Sequence, residues 1–379
     1  MSEKLGTIWP IPSHTKAKHE ILKYYLGAWF PILASVHLRL LYVDGFAGPG
    51  EYMGEEDGSP IIALKVARDH ALKHKLMRSG MDLVFLFIEK DEARCENLRR
   101  KIRELEPQLP SAFRIETYCA SFGEVFNIVL SKIEEQNLRL APSFVFIDPF
   151  GPTGFPMSLI GRLAQQRRSE VLITFNYQSL NEWFLQDPRK HKYLDELYGN
   201  DIWHQALRIA DPGQKESYLM EAYQKALENL GWKGHPFRMV NKQNQTQYYL
   251  FFATRYWKGM LAMKRAMWSA SPIGEFQYFD SIDPQQQRLF GTPIYDEEYS
   301  KDLADQICQS HREQAVSKQI LVENDLAWHP ICIERHLRRA LNILEYETIP
   351  PKITKVERLD GKDRRRGTYP EGCIITFAP

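Results

Sequence analysis

Leu41-Tyr42-Val43-Asp44-Gly45-Phe46-Ala47-Gly48-Pro49-Gly50 is the stretch on which the reading of this chain turns. A short apolar run, Leu40–Val43, ends in an acid and passes at once into a glycine-rich turn. Glycine lets a backbone approach a ligand with no Cβ in the way. In open α/β sheets, ligands bind outside the carboxyl ends of the parallel strands. No Lys-Ser/Thr pair follows the last glycine, so this is not a phosphate-binding loop of the nucleotide triphosphatase kind. A tight turn that holds no ligand would use the same glycines, so the flanking chain has to decide.

Upstream, Ile21, Leu22, Tyr25, Leu26, Trp29, Phe30 and Leu33 repeat at helical spacing and predict a helix over Thr15–Leu33. Downstream, strands and helices alternate. Strands are expected at Leu83–Ile88, Phe113–Tyr118, Phe144–Ile147 and Val171–Phe175, and helices at Glu92–Leu105, Phe122–Glu134 and Met157–Arg167. That rhythm implies an α/β domain with a parallel sheet covered on both faces. Residues 178–234 break it and read as a helical insertion carrying Trp183, Trp203 and Trp232. Phe237–Val240 and Gln247–Ala253 then bracket a polar turn, as a hairpin does. Five parallel strands closed by a hairpin make the class I methyltransferase Rossmann-like sheet, expected here over residues 1–275. A linker, 276–298, is marked by Pro272, Gly274, Pro284 and Pro293 on and around it. The tail, 299–379, offers helices at Leu303–Ser310, Gln314–Glu323 and Pro330–Tyr346, then strands at Ile353–Val356 and Cys373–Phe377 around the basic turn Asp360–Gly367. Three helices and a two-stranded wing predict a small winged-helix-like unit.

Composition sets outer bounds. The 379 residues carry a net charge of only +1, so no global pull on nucleic acid or membrane follows. No apolar run is long enough for a membrane span, and the opening residues lack the apolar core of a signal peptide. Cys95, Cys119, Cys308, Cys332 and Cys373 form no metal-binding spacing and are expected to be reduced thiols of a cytoplasmic protein.

The acids at strand ends give the turn its chemistry. Asp44 is placed to take the positive amino group of the methionine moiety of S-adenosylmethionine, with Gly45, Phe46, Ala47, Gly48 and Gly50 wrapping the ligand. Glu89, ending the second strand ahead of Lys90, is placed to hold ribose hydroxyls, and Asp91 to cap the next helix. Glu89 follows Asp44 by 45 residues, whereas dinucleotide folds put the acid about 20 residues on. The loop Glu51–Ser59 accounts for much of the excess. After the third strand, Ser121 either bonds an adenine edge or caps a helix. The fourth strand ends in Asp148-Pro149-Phe150-Gly151. Asp148, with the Pro149 carbonyl beside it, is suited to accept N–H bonds from an exocyclic amine, and Phe150 to stack on a base flipped out for reaction. Attack on cytosine C5 fits poorly, since that chemistry needs a cysteine nucleophile after this strand and none is there. His14 and Lys16 are near enough in the pattern to reach the mouth of such a site.

Four motifs in order, HTKAKHEIL (His14–Leu22), YVDGFAGPG (Tyr42–Gly50), FIEKDE (Phe87–Glu92) and FIDPFG (Phe146–Gly151), together resemble the three-Cys-motif partner protein family. The resemblance implies a bacterial methyltransferase-like domain, encoded beside a radical-SAM-type protein with a CxxxCxxC motif. This chain has no such motif, so it looks like the partner. DGFAGPG is also similar to the cofactor motif of DNA cytosine methyltransferases. DPFG-x-P is similar to the fourth-strand motif of tRNA guanine-N2 dimethyltransferases, and more distantly to the DPPY motif of amino-methyltransferases, whose second proline is missing here.

In the Pro330–Tyr346 helix, Ile333, Leu337, Leu341 and Leu344 share one face, while Glu334, Arg335, Arg338, Arg339 and Asn342 take the other. Lys362, Arg364, Arg365 and Arg366 follow in the turn. A winged helix would lay both on a nucleic-acid backbone; a solvated basic face would have the same sequence. Two functions are therefore expected to compete. One is an enzyme that N-methylates an exocyclic amine of a DNA or RNA base with S-adenosylmethionine. The other is a non-catalytic partner that keeps the fold to scaffold the three-Cys-motif protein. Acids at three strand ends favour the enzyme.

Overall fold

The computed structural model describes residues 6–271, 276–280 and 294–379. The linker markers Pro272, Gly274, Pro284 and Pro293 lie outside the described residues. The chain divides into two compact units, the first running to Arg255 and taking in a later edge strand.

The first unit is an eight-stranded sheet. Its strands are β1 (Arg39–Asp44), β2 (Asp82–Ile88), β3 (Phe113–Tyr118), β4 (Ser143–Ile147), β5 (Ser169–Phe175), β6 (Lys233–Val240), β7 (Thr246–Thr254) and β8 (Gln277–Phe279), in the order β3-β2-β1-β4-β5-β7-β6-β8. Strands β1 to β5 are mutually parallel, and β7 runs antiparallel to β5 and β6. This is the class I methyltransferase sheet, with β8 added parallel to β6. The order reverses between β1 and β4, which sets a crevice above their carboxyl ends.

Both faces are covered, and strand alternation shows why. Leu41, Val43, Val145, Ile147, Val171, Ile173 and Phe175 point to one face, into a core shared with helices at Phe122–Glu135 and Met157–Ala164. Tyr42, Phe85 and Phe144 point to the other, beneath α1 (Ser13–Ala34). A buried carboxylate pins α1 there: Glu170 on β5 accepts from Tyr25 Oη and Trp29 Nε1 at 2.8 Å each and from Thr254 Oγ1 at 2.6 Å. Burial pushes the Glu170 carboxyl up, and these donors hold it partly down. Residues 178–234 are mainly helical, as expected, with helices at His191–Tyr198 and Pro212–Asn229 and with Trp203 and Trp232 buried.

Three expectations need correction. Cys95 and Cys119 are bonded to each other, tying the helix Glu92–Leu105 to the end of β3; only Cys308, Cys332 and Cys373 are free. Both cysteines follow strands that pair, so the fold brings together side chains whose sequence spacing signals nothing. The domain boundary also falls earlier than residue 275. The helix Trp257–Ala270 belongs as far as Trp268 with the second unit, while β8, inside the expected linker, is an edge strand of the first. Last, the segment Gln314–Glu323 opens as a strand rather than a helix.

The second unit, described by itself, runs from a helix Ile294–Ser310 through β9 (Ala315–Ser317), a helical stretch Lys318–Leu326, a helix Glu334–Asn342 that continues to Glu347, and then β10 (Ile353–Glu357) and β11 (Ile374–Phe377). The strands form an antiparallel sheet in the order β10-β11-β9. Its core holds Leu303, Ile307, Leu337, Leu341, Leu344 and Ile375. Of the apolar stripe expected on the Pro330–Tyr346 helix, Leu337, Leu341 and Leu344 are therefore buried, while Ile333 is half-buried and precedes the helix, which starts at Glu334. Its arginines are largely neutralised: Arg335 pairs with Asp296, and Arg339 with Glu297 and Glu347. In the following turn Arg364 pairs with Glu345, and Arg366 lies over the Tyr346 ring.

Candidate functional site

The turn after β1 is held by its neighbours. Gly45 N donates to the Phe146 carbonyl and Ala47 N to the Ile88 carbonyl, each at 2.9 Å, so the turn is stitched to both flanking strands. The following loop is closed by Gly58 N on the Gly50 carbonyl at 2.8 Å, and Met53 N bonds the Trp9 carbonyl. A helix, Ser59–Asp69, starts directly after it; this folded loop and helix fill the long interval between Asp44 and Glu89. The glycines differ in purpose. A Cβ on Gly45 would meet the Phe122 ring at 2.6 Å, and one on Gly50 would meet Leu98 at 2.8 Å. At Gly48, with φ +62°, it would meet nothing within 4 Å. Gly48 thus faces open space in a backbone conformation that disfavours side chains.

Asp44 is wholly buried at the end of β1. Its Oδ1 accepts weakly from Phe46 N at 3.3 Å, and its Oδ2 has no partner of good geometry. Burial pushes its carboxyl up to about 7, with the nearby Ser59 hydroxyl lowering it and the Asp148 charge raising it. A buried carboxylate in this condition fits a cationic ligand group. Glu89 is more fully engaged. Its Oε2 accepts from Gly48 N and its Oε1 from Asp91 N, each at 2.8 Å, so it shapes the turn that lies against the ligand space. Each of these oxygens keeps a second lone pair for a ribose hydroxyl. Lys90 is exposed at the surface beyond. Ser121 caps the next helix: its Oγ accepts from Glu124 N, and the Glu124 carboxylate bonds back to Ser121 N. Of its two expected roles the capping role is the one in place.

A cavity of about 310 Å³ opens above the β1–β4 switch point. Phe46, Ala47, Gly48 and Gly50 line it from the turn, and Asp148, Pro149 and Phe150 from the end of β4. Seven of the expected site residues therefore meet around one space. Asp44, Gly45, Glu89, Lys90 and Ser121 are not on its wall. His14 is on the wall; Lys16 is not, and pairs with Glu56.

Several wall residues were not anticipated. Lys18, 5% exposed on α1, holds Asp148 Oδ2 at 2.5 Å and lies 5.3 Å from the Tyr248 ring centroid. Asp148 is half-buried, and no described residue takes its Oδ1. The sequence held one signal for this: Lys18 stands four residues before Leu22, on the buried stripe of α1, where a lysine needs a partner. Next to it, burial and the Lys18 charge push His19 down to about 3, so its ring is neutral. Burial and Lys18 also lower His14, against the raising effect of Asp280 at 3.6 Å. At the mouth, Phe150 is 61% exposed, with its ring 6.2 Å from Trp9. The Arg94 guanidinium lies over both rings and has no carboxylate partner among the described residues. From β5 and β7, Thr174 and Gln247 complete the wall. Among the described residues no cluster of three His, Cys, Asp or Glu side chains could hold a metal, and no helix is long and apolar enough to cross a membrane.

No family model matches the chain, and no curated protein matches it in sequence. Solved structures share its outline at low identity. An O-methyltransferase from Bacillus cereus in complex with SAH is 12% identical over 64% of this chain and 84% of its own, with a TM-score of 0.32. Magnesium protoporphyrin IX methyltransferase from Synechocystis with bound SAH is 13% identical over 64% of this chain and 88% of its own, with a TM-score of 0.31. The plantazolicin methyltransferase in complex with SAH is 9% identical over 63% and 84%, with a TM-score of 0.27. At these scores the fold rests on the strand order itself.

Proposed function

We propose that this protein is an S-adenosylmethionine-dependent methyltransferase that N-methylates an exocyclic amine of a nucleic-acid base. The observation that carries the reading is the single cavity joining the open face of Gly48 to Asp148, above the switch point of a class I sheet. The orphaned Asp44 Oδ2 suits the cofactor's ammonium group, and the unfilled space beside Gly48 suits its body. When bound, the cofactor supplies an electrophilic methyl group. The chain's own residues do the rest. Asp148 Oδ1 accepts an N–H of the amine and so raises electron density on its nitrogen. Lys18 holds the other oxygen and fixes the carboxylate's direction. The proton that leaves the methylated nitrogen passes to the cavity side of Asp148. Phe150 and Trp9 offer aromatic faces for a flipped base, and Arg94 a cation for its phosphate.

We read the second unit as a winged helix that helps to hold nucleic acid. Arg338, Lys362, Arg365 and Arg366 keep no carboxylate partner among the described residues, in contrast to Arg335, Arg339 and Arg364, and support that reading. A cytoplasmic location goes with a methyl donor and acceptors that are intracellular; the Cys95–Cys119 bond speaks against it. The scaffold for a three-Cys-motif protein is the second reading. The Lys18–Asp148 pair favours it, because one oxygen of the expected acceptor group is already taken.

Calorimetry tests the cofactor and radiolabel the reaction. S-adenosylhomocysteine is expected to bind the wild type and not Gly48→Trp; no heat at millimolar ligand removes the cofactor. Radiolabelled methyl transfer to total DNA and RNA is expected with the wild type and not with Asp148→Ala. Equal labelling by both takes Asp148 out of the mechanism, and none by either leaves the scaffold.

A further inference from the structure

Gln247 is the second residue of β7, and β7 is antiparallel to β5. Its amino end therefore rises at the same edge of the sheet as the carboxyl ends of β4 and β5. The strand order β1-β4-β5-β7 puts the glycine turn on one side of Asp148 and Gln247 on the other. Gln247 thus belongs to the acceptor half of the cavity, away from the cofactor turn. Gln247 lines the cavity, its Oε1 is buried beside it, and that oxygen has no hydrogen-bond partner. Thr174 Oγ1, on β5 and on the same wall, is also buried without a partner. Other polar side chains in this region are satisfied: Asn176 donates to the Phe150 carbonyl and caps a short helix, and Gln178 bonds Glu182. A buried amide oxygen left unpaired costs about 1–3 kcal/mol, so a protein that keeps one on a residue lining a cavity has a use for it when the cavity is filled.

We propose that Gln247 is the residue that reads the acceptor's edge beside Asp148. A primary amide presents one acceptor and one donor side by side. It complements an exocyclic amine that stands next to a bare ring nitrogen, as on the Watson–Crick edges of adenine and cytosine. It mismatches the Watson–Crick edge of guanine at N1 and N2, where two N–H donors stand side by side. A carboxylate at the same position matches guanine and mismatches the other two. The inference rests on the nucleic-acid reading above and narrows its substrate class to bases with that donor–acceptor edge.

The test is binding of adenosine, cytidine and guanosine 5′-monophosphates by calorimetry, with S-adenosylhomocysteine present, to the wild type, Gln247→Glu and Gln247→Ala. The wild type is expected to bind the adenosine or cytidine nucleotide about tenfold more tightly than the guanosine nucleotide, the discrimination typical of one bidentate contact. Gln247→Glu is expected to reverse the order, and Gln247→Ala to level it. An order unchanged in both variants overturns the role of Gln247 and leaves the nucleic-acid reading standing. No binding of any nucleotide by the wild type removes the nucleic-acid reading, and the inference with it. Should the glutamate variant not fold, the alanine variant alone decides.

Discussion

Replacing Asp44 by asparagine is expected to make the ligand-free protein more stable while removing its cofactor. The carboxyl of Asp44 moves from 3.8 to about 7 on folding, chiefly by burial. Below pH 3.8 the group is protonated in both states and adds nothing. As pH rises toward 7, the unfolded chain releases this proton and the folded chain keeps it. Stability is therefore lost across that window and stays lost above it. At about 1.4 kcal/mol per pKa unit, the shift is worth about 4 kcal/mol at pH 8. An amide with imperfect partners in the same place gives back about 1 kcal/mol, so Asp44→Asn is expected to gain about 3 kcal/mol at pH 8 and to lose about 0.5 kcal/mol at pH 4, where little of the burial penalty has yet appeared. Urea denaturation at both pH values measures this. The same titrations with S-adenosylhomocysteine at a hundred times its dissociation constant should stabilise the wild type by about 2.7 kcal/mol and leave Asp44→Asn unmoved. Equal stability of the two proteins at pH 8, or equal affinity for the ligand, would refute the view of Asp44 as a destabilising group kept for a cation.

Lys18→Met takes the cation from a half-buried carboxylate and should cost about 1–2 kcal/mol of stability, less than a fully buried pair because Asp148 is partly solvated. Methyl transfer should fall at least tenfold in kcat with cofactor affinity unchanged, and Lys18→Arg should restore part of it; a loss confined to KM would argue against an orienting role. Ser121→Ala should cost about 1 kcal/mol through the lost helix cap, with calorimetry showing S-adenosylhomocysteine affinity within twofold of wild type. Alkylation of the denatured, unreduced protein should label three thiols, and five after reduction, by mass spectrometry; five at the outset would mean the Cys95–Cys119 bond is absent.

By itself the sequence determined the parallel sheet, the hairpin that closes it, the glycine turn and the acids at the ends of β1, β2 and β4. These are local signals: side-chain period within a strand, glycine where φ turns positive at Gly48, an acid where a strand stops. Element bounds such as Glu92–Leu105 and Phe113–Tyr118 follow from them residue for residue. What the tertiary structure alone decided is pairing across long separations. Lys18 meets Asp148 across 130 residues. Gln247 reaches the cavity only because β7 runs backward. Cys95 meets Cys119 because β2 and β3 are neighbours, and the arginines of the second unit find carboxylates on other elements. Ser121, legible equally as ligand or cap, became a cap through the geometry of its own helix. A pattern along the chain records which face a residue takes, while the partner on that face is set by how the elements are ordered in space. The crevice was therefore predictable from sequence, and the charges and amides that give it chemistry were not.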